Sequence, residues 1–402
     1  MKNNILIMGG ELCNKGAQAM LFTVVSEMRK RFSDEYKIYV FSNEDFRKEP
    51  KGKYQFEFIS MSYIEEWMLA ESEFRIGAKV LSLFKGKYDK RNMIFLRNVL
   101  MNAFLCIDIS GFALSSQWGY KHSAEFLVRF SMLRRWNIKS IILPQSFGPF
   151  SFGNTAINLI MRKIIRHYLS YCSCIFAREN EGYELMTKYI GLNNIKKSSD
   201  LVLQSEGFNI KSIYKTPVVE KKWLVPDGTV GIIPNYRNTE YGNKKEIEEY
   251  YIVAIKQLLE LEKKVYLIHH SNEDKVINEK IKKNFIDKNN VIMIEDELEC
   301  YEFEAFVKKM DFVIASRFHS IVHAYKESIP CIVLGWATKY KELCRTFSQE
   351  EYMLDVRAAI NYQKAKYQIE KMNNEYLKES NKINRKLVDV QKSSCFDFLD
   401  EY

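Results

Sequence analysis

Arg317 and His319, just past the end of an apolar run, are the clearest carriers of chemistry in this 402-residue chain. They follow Asp311-Phe312-Val313-Ile314-Ala315-Ser316, whose apolar, β-branched character predicts a buried strand ending at Ser316-Arg317, with a helix opening at His319. In open α/β sheets, ligands collect beyond the carboxyl ends of the strands. An arginine there is a permanent forked cation, and a histidine titrates near neutrality. A helix amino terminus adds free N–H groups and a dipole that favours phosphate or carboxylate. The pair therefore suits an anionic ligand whose reaction moves a proton. A plainer arrangement fits the same residues: Arg317 capping a neighbouring loop, and His319 a structural histidine.

The elements that must position this pair alternate between strand and helix. The pattern predicts strands at 3–9, 37–42, 56–60, 104–110, 140–143 and 173–177, a last short one ending at Asp200-Leu201-Val202-Leu203, and a first helix from Ala17 to about Arg31. Residues 62–103 read as two helices with a mobile join, the periodicity broken at Gly77 and by the charges of Lys85–Arg91. Pro217, Pro226 and Asp227-Gly228 mark a linker, after which strands are expected at 230–234, 265–269, 291–294, 312–315 and 331–334. The helices between them are expected at Lys244–Glu262, Glu273–Phe285 and Tyr301–Lys309. From Ala358 to about Val390 the chain reads as one long polar helix, a tail of the kind that crosses back to a first domain. The expected fold is α/β, two doubly wound Rossmann-like domains facing a cleft. Its divisions are 1–205, a linker over 206–228, a second domain over 229–357 and a helical tail over 358–402.

Composition narrows the class of function. Hydrophobic residues at 47% and charged residues at 28% describe a globular protein, and no apolar run reaches the length of a membrane span. The apolar stretch after Met1-Lys2-Asn3-Asn4 is too short for a signal peptide, so a cytoplasmic location is expected. Eight scattered cysteines without a C-x-x-C pair imply reduced thiols and no structural zinc. The net charge of +9 is dispersed, which argues against nucleic acid. One segment, Ala156–Leu169, carries Arg162, Lys163 and Arg166 beside an apolar stripe at helical spacing. Packing on the sheet accounts for it; a basic face resting on an anionic leaflet is the second reading, with peripheral contact on the inner face of the membrane.

Further landmarks fall in a telling order: Asn14-Lys15-Gly16 opening the first helix, Asp108-Ile109-Ser110-Gly111 ending a strand, and Pro144-Gln145-Ser146-Phe147-Gly148-Pro149. Ala177-Arg178-Glu179, Asp200, Ser316-Arg317-Phe318-His319 and Lys339 complete the set. Together these resemble the polysaccharide pyruvyl transferase family, whose two-domain fold is like that of GT-B glycosyltransferases. The resemblance runs from Ile5 to about Asp355. Ala17 stands where the family often has an acid, and Phe112-Ala113 where it often has more glycines; both departures bear on the acceptor more than on the donor.

The resemblance implies transfer of pyruvate from phosphoenolpyruvate to a sugar of a polysaccharide or lipid-linked glycan, commonly as a cyclic ketal, without metal or other cofactor. It implies Arg178, Arg317 and Lys339 as cations for the donor's phosphate and carboxylate, and His319 as general acid or base. Asn14, Gly16, Arg237 and His270 are expected to line the cleft or touch the acceptor, and His323 to be structural. The turn Gly9–Gly16 lacks Gly-x-Gly-x-x-Gly spacing, which argues against a dinucleotide. Two other classes share these features. A nucleotide-sugar glycosyltransferase would use a carboxylate for the ribose, and Glu295-Asp296-Glu297-Leu298-Glu299 offers several. A non-catalytic sugar- or lipid-binding scaffold would be favoured by a buried, salt-bridged Arg317 and His319.

Overall fold

The computed structural model describes residues 2–85, 88–219, 221 and 223–401. The first sheet holds β1 (Asn4–Met8), β2 (Lys37–Phe41), β3 (Glu57–Ile59), β4 (Ala103–Asp108), β5 (Lys139–Gln145), β6 (Cys174–Ala177) and β7 (Ile195–Lys197). The second holds β8 (Thr229–Ile233), β9 (Lys264–Leu267), β10 (Val291–Met293), β11 (Phe312–Ala315), β12 (Cys331–Gly335) and β13 (Met353–Asp355). Their orders are β3-β2-β1-β4-β5-β6-β7 and β10-β9-β8-β11-β12-β13, with every pair parallel. Strands of this kind are covered by helices on both faces, which is why most read as unbroken apolar runs. The strand order reverses between β1 and β4 in one sheet and between β8 and β11 in the other, and such a reversal opens a crevice at the carboxyl edge.

Three expectations are corrected. Residues 200–203 are not a strand. The strand is Ile195–Lys197, an edge whose exposed Lys196 and Lys197 hide the pattern, while Leu201–Gln204 is a buried 3-10 turn. The 62–103 segment forms three helices, Tyr63–Leu69, Ser72–Lys85 and Lys90–Met101, with Gly77 inside the second, where its missing side chain leaves room for Trp67. Of the expected join, residues 86 and 87 lie outside the described residues. The three-residue edge strand β13, too short to show a period, went unexpected. Within the linker, Ile210–Ile213 is helical and its neighbour Tyr214 bridges to Tyr54, so this part packs on the first half. Among the described residues no helix is long and apolar enough to cross a membrane, and all eight cysteines are free.

One hydrophobic cluster runs through both halves, from Ile5 and Phe22 through Leu201–Leu203 to Val313, Phe318, Phe347 and Phe396. The tail helix Tyr362–Gln391 stitches it closed. It packs first on Lys244–Glu260, then on Phe318–Lys326 and the 201–204 turn. Gln391 donates to the Leu203 carbonyl at 3.3 Å, and the Cys395 N–H donates to Gln204 Oε1 at 2.6 Å. Phe396 is fully buried beyond them. Truncating a buried phenylalanine costs about 3–5 kcal/mol, so Phe396→Ala is expected to lower the urea midpoint correspondingly. An unchanged midpoint would show that the tail docks without contributing to the core.

Candidate functional site

The carboxyl edges of the two sheets meet at the turn that opens the first helix, Lys15–Arg31. Asn14 caps this helix, its side chain accepting from the Ala17 N–H at 2.9 Å. Gly16 lies directly against the His319 ring, where any Cβ would overlap the imidazole. Lys15 points across the cleft, and its Nζ donates to the His270 carbonyl at 3.2 Å. Burial lowers the Lys15 pKa, with Glu297 and Asp274 opposing. Lys15 was visible in the motif but drew no role from sequence. At the end of β4, Asp108 is buried and accepts from the Ser110 N–H and hydroxyl at 3.1 and 3.0 Å. Gly9, at φ +76°, packs so closely on Ser110 that only glycine fits.

Arg178, at the end of β6, is the centre of the charge cluster. Its Nε donates to Glu179 Oε1 at 2.9 Å, Nη1 to Asp200 Oδ2 at 2.8 Å and Nη2 to Ser146 Oγ at 2.6 Å. The guanidinium stacks on Phe318 from the other half, 4.4 Å from the ring centroid. His319 approaches the same Asp200, with Nε2 3.7 Å from Oδ2, too far for a hydrogen bond. That nitrogen is buried and without a hydrogen-bond partner among the described residues. Burial pushes the His319 pKa down to about 3, Asp200 opposing and Arg178 adding, so the imidazole is neutral at pH 7. Although burial opposes it, His319 and Arg178 hold the Asp200 carboxyl below its ordinary range.

Lys339, after β12, lies against the same Phe318 ring. Its Nζ lies 5.2 Å from the Phe318 ring centroid and has no ion pair or hydrogen bond among the described residues. Burial, and next the Arg178 charge, push it down to about 8. Arg178, Asp200, Phe318 and Lys339 line a cavity of about 500 Å³ together with Leu343 and Val390. A cation with no ion pair or hydrogen bond among the described residues, lining a cavity of this size, is suited to receive an anion.

Arg317 is placed differently. It grips Asp274 with Nε and Nη2, at 2.9 and 2.7 Å, and also bonds Glu273 and Ser271 Oγ. Only Nη1 makes no hydrogen bond among the described residues. The clamp ties the strand end at 316–317 to the turn after β9, which is the plainer of the two arrangements the sequence allows. Arg237 is exposed and pairs with the same Glu273 at 3.0 Å. His270 is buried against Phe303, and its Nε2 lacks a partner among the described residues. Burial, and then Lys15, hold it far below its ordinary pKa. His323 is fully buried, with Nδ1 2.8 Å from Glu304 Oε2, and is structural. Thus the structure brings Gly16, Arg178, His319 and Lys339 together and leaves Arg237 on the rim. Asp200, which orients the group, stands in the sequence motif without a role of its own.

The site makes a pH-dependent prediction. Lys339 carries its charge below about pH 8 and loses it above. Affinity for an anion bound there, probed with inorganic phosphate, is expected to fall as pH rises from 7 to 9. Lys339→Arg, with its fixed charge, should flatten that fall. An identical pH profile in both proteins would remove Lys339 from the anion site.

A polysaccharide pyruvyl transferase family model matches residues 14–338. No curated protein matches the chain. Among solved structures, UDP-GlcNAc 2-epimerase from Methanocaldococcus jannaschii is similar at 15% identity and TM-score 0.56, covering 92% of this chain and 93% of that one. A UDP-N-acetylglucosamine 2-epimerase from Listeria monocytogenes gives 12% and 0.55, over 95% and 91%. S. aureus TarM, solved with UDP, gives 9% and 0.54, over 100% and 98%. At such identities the likeness is one of fold, a two-domain Rossmann-like α/β architecture of GT-B type. The extent of the family match, which takes in the first helix, Arg178, Asp200, Arg317 and His319, decides the relationship: the chain belongs to the polysaccharide pyruvyl transferase family.

Proposed function

We propose that this enzyme takes pyruvate from phosphoenolpyruvate and joins it to two hydroxyls of a glycan, or of a lipid-linked glycan precursor, as a ketal. The observation that carries the reading is Lys339, without ion pair or hydrogen bond among the described residues, beside Arg178 and Phe318, with a neutral His319 next to the same ring. The donor's phosphate and carboxylate meet Lys339 and the remaining N–H groups of Arg178. Arg317 contributes first by holding the 316–319 and 271–274 segments in register, and through Nη1 to the donor. Asn14 and Gly16 set the acceptor side by keeping the first helix close to His319.

Two bond-forming steps account for every atom. One sugar oxygen bonds to C2 of the donor while the C2–C3 π pair takes a proton at the methylene, which becomes the methyl. A second sugar oxygen then bonds to C2 as the C–O bond to phosphate breaks. Of the two hydroxyl protons, one ends on the methyl carbon and the other leaves with phosphate. A neutral His319 can accept a hydroxyl proton and pass it on. The donor's negative charge favours the imidazolium, so the proton is held while donor is bound. Such transfer contributes about 10²–10⁴-fold.

The glycosyltransferase alternative loses support at two of its four carboxylates, while Glu295 and Asp296 stay exposed. Glu297 is engaged by Lys275 and His269, and Glu299 caps the helix Cys300–Val307 and accepts from Gln18. A donor screen separates the two readings. Incubation with a glycan extract should release inorganic phosphate from phosphoenolpyruvate; release of UDP from UDP-sugars instead would overturn the proposal. Within the site, His319→Ala should lower turnover by about 10²-fold or more, while changing donor affinity less than Arg178→Ala does, because the histidine acts mainly in the transition state. Severe loss of donor affinity with turnover intact at saturation would make His319 a binding residue.

A further inference from the structure

Apolar side chains cluster on the outer rim of the first half, beside the cleft. The helix Thr155–Leu169 buries Met161, Ile165, Tyr168 and Leu169 against the sheet, yet Leu159 is 50% and Ile160 56% exposed. The neighbouring helix Gly119–Arg135, which packs on it, is preceded by Trp118 at 48% exposure and carries Tyr120 at 47%. Both helices begin at the carboxyl edge of the sheet, after β5 and β4, because a parallel unit enters its helix at that edge. The exposed apolar residues of each are therefore in its first turns, at the cleft end. Ser116 ties together the loops that lead into the two helices, its N–H donating to the Pro149 carbonyl at 2.8 Å.

Basic residues outnumber acids on these two helices. Thr155–Leu169 contains no Asp or Glu. Lys163 and Arg166 are exposed and have no ion pair among the described residues, whereas Arg162 is committed to the Tyr189 ring at 5.2 Å. Glu125 is the acid on the neighbouring helix. Tryptophan, tyrosine and aliphatic side chains beside unpaired lysine and arginine are the combination suited to a headgroup layer, the rings and aliphatics entering it and the cations meeting anionic lipid.

We propose that this rim is a docking surface for an anionic lipid leaflet, with Trp118, Tyr120, Leu159 and Ile160 as the inserted residues and Lys163 and Arg166 as the charge contacts. It rests on the reading of a lipid-linked acceptor only for its purpose, since docking there presents the cleft mouth to the membrane surface. Its test needs no turnover. The whole protein is expected to co-sediment with vesicles of phosphatidylcholine containing phosphatidylglycerol at low salt, to leave them at high salt, and to ignore phosphatidylcholine alone. Lys163→Gln with Arg166→Gln should weaken binding about 30-fold, at roughly 1 kcal/mol per charge. Leu159→Ser with Ile160→Ser should also release the protein while its thermal midpoint stays put. Equal binding to both vesicle types, or wild-type binding by both double variants, would overturn the proposal. A dimer in sedimentation velocity that the Leu159→Ser, Ile160→Ser protein loses would assign the face to a second copy instead.

Discussion

The buried guanidinium of Arg178 is the interaction on which the rest of the site depends. With a side chain only 6% exposed, it holds Glu179 and Asp200 at 7% and 1% exposure and the hydroxyl of Ser146. A buried ion network of this kind gains little stability, since desolvation offsets most of its attraction. Its effect is positional. It joins the ends of β5 and β6 to the turn at Asp200, and through Phe318 it reaches the other half. Glu179 and Asp200 together neutralise more charge than Arg178 supplies, which leaves Asp200 able to face His319.

The protonation pattern follows from that arrangement. Burial discharges His319 at neutrality and brings Lys339, which lines the cavity, close to its titration point. At neutral pH Lys339 therefore keeps its charge while His319 carries none. Gly16 matters for the same reason: a side chain there would push the imidazole away from Asp200. Arg317 serves this pocket from behind. Its grip on Asp274 fixes the segment that presents Phe318 and His319.

How far sequence could see this differs residue by residue. The run Phe312–Ala315 and the residues after it announced a strand end with an arginine and a histidine, because a buried parallel strand is continuously apolar. The partner of each could not be seen. Arg317 and Arg178 are both arginines at strand ends, yet only the fold shows that Asp274 and Glu273 hold the first and Glu179 and Asp200 the second, while Lys339 has neither ion pair nor hydrogen bond among the described residues. Leu201–Leu203 misled as a strand because burial between two halves demands the same residues as burial within a sheet. Lys196 and Lys197 concealed a true edge strand. Lys15 and Asp200 lay in plain motifs; their roles depend on contacts across the cleft, between residues far apart in the chain.

If the Arg178–Lys339 pocket holds phosphoenolpyruvate, calorimetric titration of the wild type and of Lys339→Met at neutral pH tests it most directly. Saturable binding of phosphoenolpyruvate to the wild type is expected, weakened at least about tenfold by loss of that charge, which corresponds to about 1.4 kcal/mol. Unchanged affinity in Lys339→Met, or binding of a UDP-sugar where phosphoenolpyruvate fails to bind, would contradict it.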